Sequence, residues 1–384
     1  MTRTILVITG TRAEYGILKP VLLSIKKHHN LNLKLLVTGM HLSHEFGFTV
    51  NDIKADGFNI DFSVDMLLSQ DTNESMVKSL AIGILGIVDV LSISKPDIVL
   101  VCGDRNEAFA GAIAASYMAI PVAHLFGGDS AQGSNIDDCI RHSISKFSHI
   151  HLTMTEEHTK RLINMGEESW RIFQVGSPAI DTILSTHFLA SDIIAQKFGI
   201  KLNEPLVLLL QHPTTINNEL SSTEIEQTIN AIVDLKVQTV IIYPNSDPGG
   251  RDMIEVIKKY ENIPNIKIIK NIPHIEFLSL LSICDVLVGN SSSGIFEAPA
   301  LKVPVVNIGI RQEGRGRTNN IINVRQNREE IQMGIKKALF DKEFLNMANQ
   351  IQNPFGDGHA SEKIISALLN IDIDKKLLQK KITY

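Results

Sequence analysis

A chain of 384 residues has room for two or three domains and for large buried cores. With 37 Lys and Arg against 42 Asp and Glu, its formal charge of −5 excludes nucleic-acid binding driven by bulk positive charge, though not a local basic site. A hydrophobic share of 44% and a charged share of 21% exclude a disordered chain.

Short Val/Ile/Leu runs alternate with longer helical patterns. Strands are predicted at residues 4–9, 33–38, 97–102, 121–126, 150–155 and 172–176, nearly all apolar, as strands buried on both faces must be. Helices are predicted between them at 15–29, 73–94, 106–118, 137–148 and 156–165. This βαβ rhythm implies a parallel sheet covered by helices. A polar helical stretch at 182–202 ends at Asn203-Glu204-Pro205, and the rhythm restarts. The second set has strands at 206–211, 239–243, 266–270, 285–289, 303–308 and 321–324, with helices near 222–235, 253–260, 273–282 and 295–301. Helical segments at 328–348 and 361–378 close the two halves. The reading is α/β, with two doubly wound parallel-sheet domains, 1–180 and 181–384, facing a cleft. Ligands then bind at the carboxyl ends of the strands.

No segment is expected in a membrane. Residues 1–4 run directly into the apolar run 5–8 without a signal-peptide cleavage region. The most apolar stretch, 80–93, is interrupted by Asp89 and is shorter than a bilayer span, so it is expected to be a buried helix. Cys102, Cys139 and Cys284 are too few and too scattered for a disulfide scaffold or a zinc cluster. They read as reduced thiols in a cytoplasmic protein.

The first strand ends in Gly10-Thr-Arg-Ala-Glu-Tyr-Gly16. This is neither GxGxxG nor a P-loop, since Ile17-Leu18 stand where Lys-Ser/Thr is required. A Gly turn, Arg12 and a helix start suit a phosphate, and equally an ordinary βα turn with a surface arginine. Cys102-Gly-Asp-Arg-Asn-Glu107 brings Asp104 and Arg105 off the next strand, where Asp104 also fits a helix N-cap. Asp137 and Arg141 are four apart, so they share a helix face and can pair. The density of Asp, Arg and His after the Gly127-Gly128 turn, His142 included, favours function over a solvated face.

In the second half, His212 ends the first strand, where a lone His is often only hydrogen-bonded structure. Asn245 falls in a turn after the second. The strongest signal is Gly289-Asn-Ser-Ser-Ser-Gly-Ile-Phe-Glu297. Backbone N–H groups, hydroxyls and a helix dipole converge there into a diphosphate cradle without a lysine, and Glu297 lies where a carboxylate can bind ribose hydroxyls. Arg311 follows the next strand, either in a flexible basic loop or against a diphosphate. His28, His29, His149, His151 and His158 lack ligand-type neighbours at metal spacing and read as structural or solvated.

Together these segments resemble the UDP-N-acetylglucosamine 2-epimerase family, most closely its hydrolysing branch of sialic-acid synthesis. The likeness is carried by Gly10-Thr-Arg-Ala-Glu-Tyr-Gly16, Thr38-Gly-Met-His-Leu-Ser43, Gly103-Asp-Arg105, Ile136-Asp-Asp138 with Arg141-His142, Gly289-Asn-Ser-Ser292 and Asn353-Pro-Phe-Gly-Asp-Gly358. The resemblance implies a GT-B-like fold of two Rossmann-type domains, the first on the sugar side and the second on the UDP side. It implies UDP contacts from Arg12, Arg105, His212, Asn245, the Ile272 backbone, Ser291, Ser292, Glu297 and Arg311, with catalysis around Asp104, Asp137 and Arg141, beside which His142 reads as a base candidate. Phe126 stands where some members carry Glu, so Asp129 or His124 is expected to fill an acid/base role. Ile17 stands where non-hydrolysing members carry Lys, which favours the hydrolysing branch.

The expected reaction turns UDP-GlcNAc and water into ManNAc and UDP through a 2-acetamidoglucal, with no metal or cofactor and a homodimer or homotetramer as the acting form. A 6-deoxy diacetamido sugar is the alternative substrate. A non-hydrolysing epimerase would return a UDP-sugar, a GT-B glycosyltransferase would need an acceptor, and an inactive UDP-sugar sensor would turn nothing over.

Overall fold

A computed structural model describes residues 2–384 apart from 70–71, 131–135, 215–219, 245–248, 271, 316–317 and 352. The chain forms two compact units. The first comprises Met1–Asp129, Ile136–Thr182 and Phe355–Tyr384; the second is built on Ile183–Pro354.

In the first unit the strands are β1 (Arg3–Thr9), β2 (Leu31–Thr38), β3 (Phe62–Val64), β4 (Ile98–Cys102), β5 (Val122–Leu125), β6 (Ile150–Thr153) and β7 (Ile172–Gln174). They lie in the order β3-β2-β1-β4-β5-β6-β7, and every described pairing is parallel. The helices are α1 (Arg12–Lys27), α2 (Val50–Ala55), α3 (Asn73–Ser94), α4 (Asn106–Tyr117), α5 (Asp137–Phe147), α6 (Glu156–Asn164) and α7 (Pro178–Ser185). One face of the sheet packs Ile5, Val7, Leu35 and Leu100 against Leu18, Leu22 and Ile25 of α1. The other packs Leu6, Ile8, Val99 and Val101 against α3, α4 and α5. Burial on both sides is why the strands read as unbroken apolar runs.

The second unit starts with α8 (Ser191–Phe198), then alternates β8 (Leu206–Leu210), α9 (Ser221–Leu235), β9 (Gln238–Ile242), α10 (Gly250–Lys258), β10 (Ile266–Ile269), α11 (His274–Ile283), β11 (Val286–Gly289), α12 (Glu297–Ala300), β12 (Val305–Ile308) and β13 (Ile321–Val324). The helices α13 (Arg328–Phe340) and α14 (Lys342–Asn349) follow. Its sheet runs β10-β9-β8-β11-β12-β13, again parallel throughout the described pairings.

Several sequence expectations shift. The strand β3 has three residues, too few to show a pattern. The stretch expected as one helix at 182–202 is two, because the chain leaves the helix where Leu189 N–H bonds Ser279 Oγ at 3.0 Å. The stretch at 328–348 also breaks: Asp341 ends α13 and caps α14, accepting Phe344 N–H at 3.0 Å. The last stretch divides into α15 (Ala360–Asn370) and α16 (Lys375–Leu378), restarted by the Asp374 cap. Residues Phe355–Tyr384 group with the first unit, where the sequence division had put them in the second half. The cause is apolar: Ile364, Leu368 and Leu377 join the cluster formed by β1 and α1.

The helix α3 also departs from expectation. It is 22 residues long, and its Glu74–Ser94 stretch is apolar enough by length and composition to cross a membrane. It is not a buried helix, since only 28% of that stretch is buried.

Each sheet has a switch point, where chain order reverses: between β1 and β4 in the first, between β8 and β11 in the second. Crevices outside the carboxyl ends of such strands are where doubly wound sheets bind ligands. At the second switch point Gly289 has φ +133°, and a Cβ there would run into the Leu210 carbonyl. Gly289→Ala is therefore expected to destabilise the protein by at least about 1 kcal/mol. Urea unfolding checks this; an unchanged midpoint would show that the turn has slack.

Candidate functional site

The residues singled out by sequence flank the two switch points. In the first unit, Gly10 to Arg12 leave β1, Gly103 to Arg105 leave β4, and Asp129 follows β5. Thr11 caps α1 and accepts Glu14 N–H at 3.3 Å, while Glu14 Oε2 accepts Gly10 N–H at 2.7 Å. This reciprocal capping makes Arg12 the first helical residue, three positions before the expected helix start. Arg12 stands half-exposed with its Nε 3.7 Å from Asp52. Arg105, at the start of α4, places its Nε 3.5 Å from Glu107.

The centre of this edge is Arg141 on α5, whose side chain is buried. It binds Asp104, which is therefore not the cap of α4; that position belongs to Arg105. Its Nη1 donates to Asp138 at 2.7 Å and lies 3.9 Å from Asp129. Sequence spacing pointed to Asp137 as the helical partner. The structure places Asp138, three residues before Arg141, within hydrogen-bond distance. Asp137 opens α5, where carboxylates favour the helix dipole.

His142 follows on the helix. Burial lowers its basicity, opposed by Asp138, so the imidazole is neutral near pH 7. Its Nδ1 is buried and has no hydrogen-bond partner among the described residues. A neutral imidazole nitrogen without a partner is a competent proton acceptor.

Two groups were expected to compete for the acid/base role near Phe126. His124 has both ring nitrogens engaged. Nε2 donates to Gly103 C=O at 2.8 Å, so Nδ1 accepts from Ser145 Oγ at 3.1 Å. Burial pushes its imidazole down to about 3. It therefore fixes the Gly103–Asp104 turn. Asp129 is buried beside Arg141 and 3.5 Å from His158 Nε2. His158, read from sequence as structural or solvated, is buried against this carboxylate.

Two carboxyl groups escaped the sequence reading, although both lie in quoted motifs. Burial raises Glu14 to about 8, with Glu107 adding to the rise, so Glu14 is a neutral acid at pH 7. Glu107 occupies the space where side chains on Gly10 and Gly39 would otherwise stand. The Thr11-x-x-Glu14 spacing marks Glu14 as a capping residue, whereas nothing in the one-dimensional pattern marks Glu107.

In the second unit the organiser is Asn290. Its Oδ1 accepts His212 N–H at 2.7 Å and its Nδ2 donates to His212 C=O at 2.8 Å. Its own C=O accepts Arg311 Nη1 at 3.2 Å and Gln312 Nε2 at 2.8 Å. The loops after β8, β11 and β12 thus meet on one residue, through its side-chain amide and its main-chain carbonyl. Burial pushes His212 down to about 3, aided by Arg311. The serine segment does not open directly into the helix expected near 295–301. Ser292–Gly294 is a single 3-10 turn, capped by Ser291, whose Oγ accepts Ser293 N–H at 3.3 Å, and α12 behind it has four residues. Any dipole contribution is correspondingly short. Burial raises Glu297 to about 7, and its Oε2 is buried without a partner among the described residues. Ile272 lies between β10 and α11. Asn245 lies outside the described residues. Among the described residues no group of His, Cys, Asp and Glu has the arrangement of a metal site.

A family model described as UDP-N-acetylglucosamine 2-epimerase matches residues 23–369. The UDP-N,N'-diacetylbacillosamine 2-epimerase (hydrolyzing) of Legionella pneumophila is 38% identical over 380 residues, 99% of each chain. The GDP/UDP-N,N'-diacetylbacillosamine 2-epimerase (hydrolyzing) of Campylobacter jejuni is 36% identical over 376 residues, 97% of each chain. The solved UDP-GlcNAc 2-epimerase of Neisseria meningitidis, bound to UDP-GlcNAc, matches with a TM-score of 0.82 at 23% identity, over 96% of this chain and 100% of that one. That likeness concerns the fold, which is GT-B-like.

The Arg141 cluster makes a direct stability prediction. Arg141→Met removes the cation and leaves Asp104, Asp129 and Asp138 facing one another. Breaking such a pair costs about 3–5 kcal/mol when fully buried. Asp104 and Asp138 retain some solvent contact, so the lower end, about 3 kcal/mol, is expected in urea unfolding. A loss within about 0.5 kcal/mol, the usual range for surface changes, would mean that water already screens the cluster.

Proposed function

The chain belongs to the UDP-N-acetylglucosamine 2-epimerase family, on its hydrolysing branch, and on that footing we propose that it hydrolyses and epimerises a UDP-2-acetamido sugar, with UDP-N,N'-diacetylbacillosamine as the favoured substrate. The favoured sugar comes from the two relatives named for it, which match nearly the whole chain. This turns around the sequence-based preference for UDP-GlcNAc, which becomes the second substrate to test. The reading is carried by one observation: a neutral histidine with an unpartnered nitrogen beside a guanidinium that gathers carboxylates at a switch point.

The hydrogen at C2 of an intact acetamido sugar is not acidic, so its removal must accompany departure of UDP. In the proposed mechanism a base takes the C2 proton, with His142 and Asp137 on α5 and Asp104 after β4 as candidates. The C1–O bond breaks with its electron pair on UDP, leaving a 2-acetamidoglucal. Water then adds its oxygen at C1, and C2 takes a proton from the opposite face, where Asp129 is the candidate acid. Arg141 holds the carboxylates in place. The products are UDP and the free manno-configured sugar.

Ser291, Ser292, Arg311 and His212 are proposed to hold the diphosphate, where charge grows as UDP leaves. Arg12, Arg105 and the Ile272 backbone belong to the same proposal as further UDP contacts, and Glu297 is proposed to accept the ribose hydroxyls. Hydroxyl donors favour the carboxylate form of Glu297. Its carboxyl is raised to about 7, so it is mostly protonated at pH 6 and mostly charged at pH 8. UDP affinity, taken relative to Glu297→Gln at each pH, is expected to rise about tenfold over that interval. Calorimetry giving parallel pH profiles for the two proteins would remove Glu297 from the ribose.

Turnover of both UDP-sugars in D₂O and in ¹⁸O-water tests the reaction. Deuterium at C2 with ¹⁸O only in the sugar is expected, with faster turnover of the diacetamido substrate. Protium kept at C2 would rule out elimination, and ¹⁸O in UDP would mean attack at phosphorus. A UDP-sugar product would place the chain with the non-hydrolysing enzymes.

A further inference from the structure

The segment after α16 reaches the far end of α5. Lys380 Nζ donates to the carbonyls of Ser145 at 3.1 Å and Lys146 at 2.9 Å, in the last turn of that helix. Carbonyls in a last turn have no donor within the helix, and a cation there also favours the helix dipole. The ammonium is held in turn by Glu167, whose Oε2 lies 2.7 Å from it. Glu167 is buried and also meets His151 of β6 and Lys146 of α5, each at 3.0 Å. Burial alone would raise this carboxyl, but His151 and Lys380 outweigh it and hold it down to about 2, so it is charged at pH 7.

The chain around Lys380 is tied on both sides. Arg171 is fully buried and donates to the carbonyls of Leu377 at 2.6 Å, Lys376 at 2.8 Å and Gln379 at 3.2 Å. Beyond Lys380, Thr383 N–H donates to the Gly166 carbonyl at 3.3 Å. A segment held in this way is ordered rather than frayed.

Ser145 stands one turn after Arg141 on α5, and its two polar groups have different partners. Its carbonyl takes the Lys380 bond. Its Oγ donates to His124, whose Nε2 donates to the Gly103 carbonyl beside Asp104. The contact therefore reaches the site by two routes: along α5 to Arg141 and His142, and through His124 to the turn that carries Asp104.

We propose that Lys380 is a positioning residue for the chemistry on α5: it clamps the carboxyl end of that helix and so sets where His142 and the Arg141–Asp104 pair stand. The proposal rests on the reading of α5 as the proton-transfer element. Lys380 acts through Ser145 and His124, not on the substrate. Removing it leaves Glu167 with His151 and Lys146, not as a bare buried charge, so Lys380→Met is expected to fold.

The test compares Lys380→Met with Lys380→Arg in the full chain. In Lys380→Met, kcat on whichever UDP-sugar the wild type turns over is expected to fall about ten- to hundredfold with KM within about twofold, since misplacing a catalytic group by about 1 Å can cost that much. The calorimetric stoichiometry of UDP binding should stay at the wild-type value, and the ¹⁵N signals of the His124 and His142 imidazoles should shift. Lys380→Arg keeps a cation and its donors, and should return turnover and signals most of the way to the wild type. Unchanged turnover, UDP sites lost in proportion to turnover, or an arginine variant no better than the methionine one would each overturn the proposal. If the wild type turns over neither UDP-sugar, the functional reading fails, and the imidazole signals alone decide the clamp: shifted signals keep it and unshifted ones overturn it.

Discussion

The first unit's switch point depends on one buried cation. An arginine keeps its charge under any folding condition, so burying one demands carboxylates to meet it. Here they come from three places: Asp104 after β4, Asp129 after β5 and Asp138 on α5. A single guanidinium thus ties two strand ends to the helix that follows them. The surrounding groups hold the same geometry. His124 fixes the Gly103 carbonyl, and His158 stands against Asp129. His142 lies next to Arg141 in sequence, so any shift of the cluster moves the unpartnered nitrogen with it.

The second unit solves the same topological problem without charge. Asn290 ties the loops after β8, β11 and β12 through four hydrogen bonds to one residue. A neutral organiser is the sensible choice at a site proposed for an anion, because a fixed carboxylate there would repel it. Arg311 reaches the Asn290 carbonyl and stands near His212, whose imidazole stays neutral for the same reason: burial beside a cation. The two sheets share a strand pattern, yet one edge gathers acids around a base and the other gathers donors. That division suits a reaction in which proton transfer and leaving-group stabilisation act on different atoms.

The sheets were legible from sequence because strands buried on both faces leave unbroken Val/Ile/Leu runs. The strand β3 was not, having only three residues. Helix breaks at Asp341 and Asp374 were hidden because a capping aspartate looks like any surface aspartate until its chain partners are known. Strand-end motifs pointed to Asp104, Ser291 and Glu297 as candidates, and helical spacing pointed to Arg141. Helical i,i+4 spacing pointed to Asp137 as a partner of Arg141, and the structure adds Asp138 at 2.7 Å, one residue further along. The place of Glu107 under Gly10 and Gly39 and that of His158 beside Asp129 were not legible, because those neighbours are distant along the chain. Asn290 was quoted and passed over, since one amide among small polar residues carries no signal of the loops it joins.

The helix α3 shows why composition misleads at a surface. A helix apolar on all sides ordinarily belongs in a core or a membrane. Its inward face sets Gly83 and Gly86 against Met66 and Val64 and buries Ile87 and Leu91, while Ile82, Leu85 and Ile93 face outward. Hydropathy averages over both faces and cannot tell them apart. Lys78 and Asp89, the two charges that interrupt the outer face, are the informative residues. In a core or in lipid they would be costly, whereas at an open surface water solvates both. Asp89, which from sequence alone interrupted a helix expected to be buried, stands exposed on the outward face.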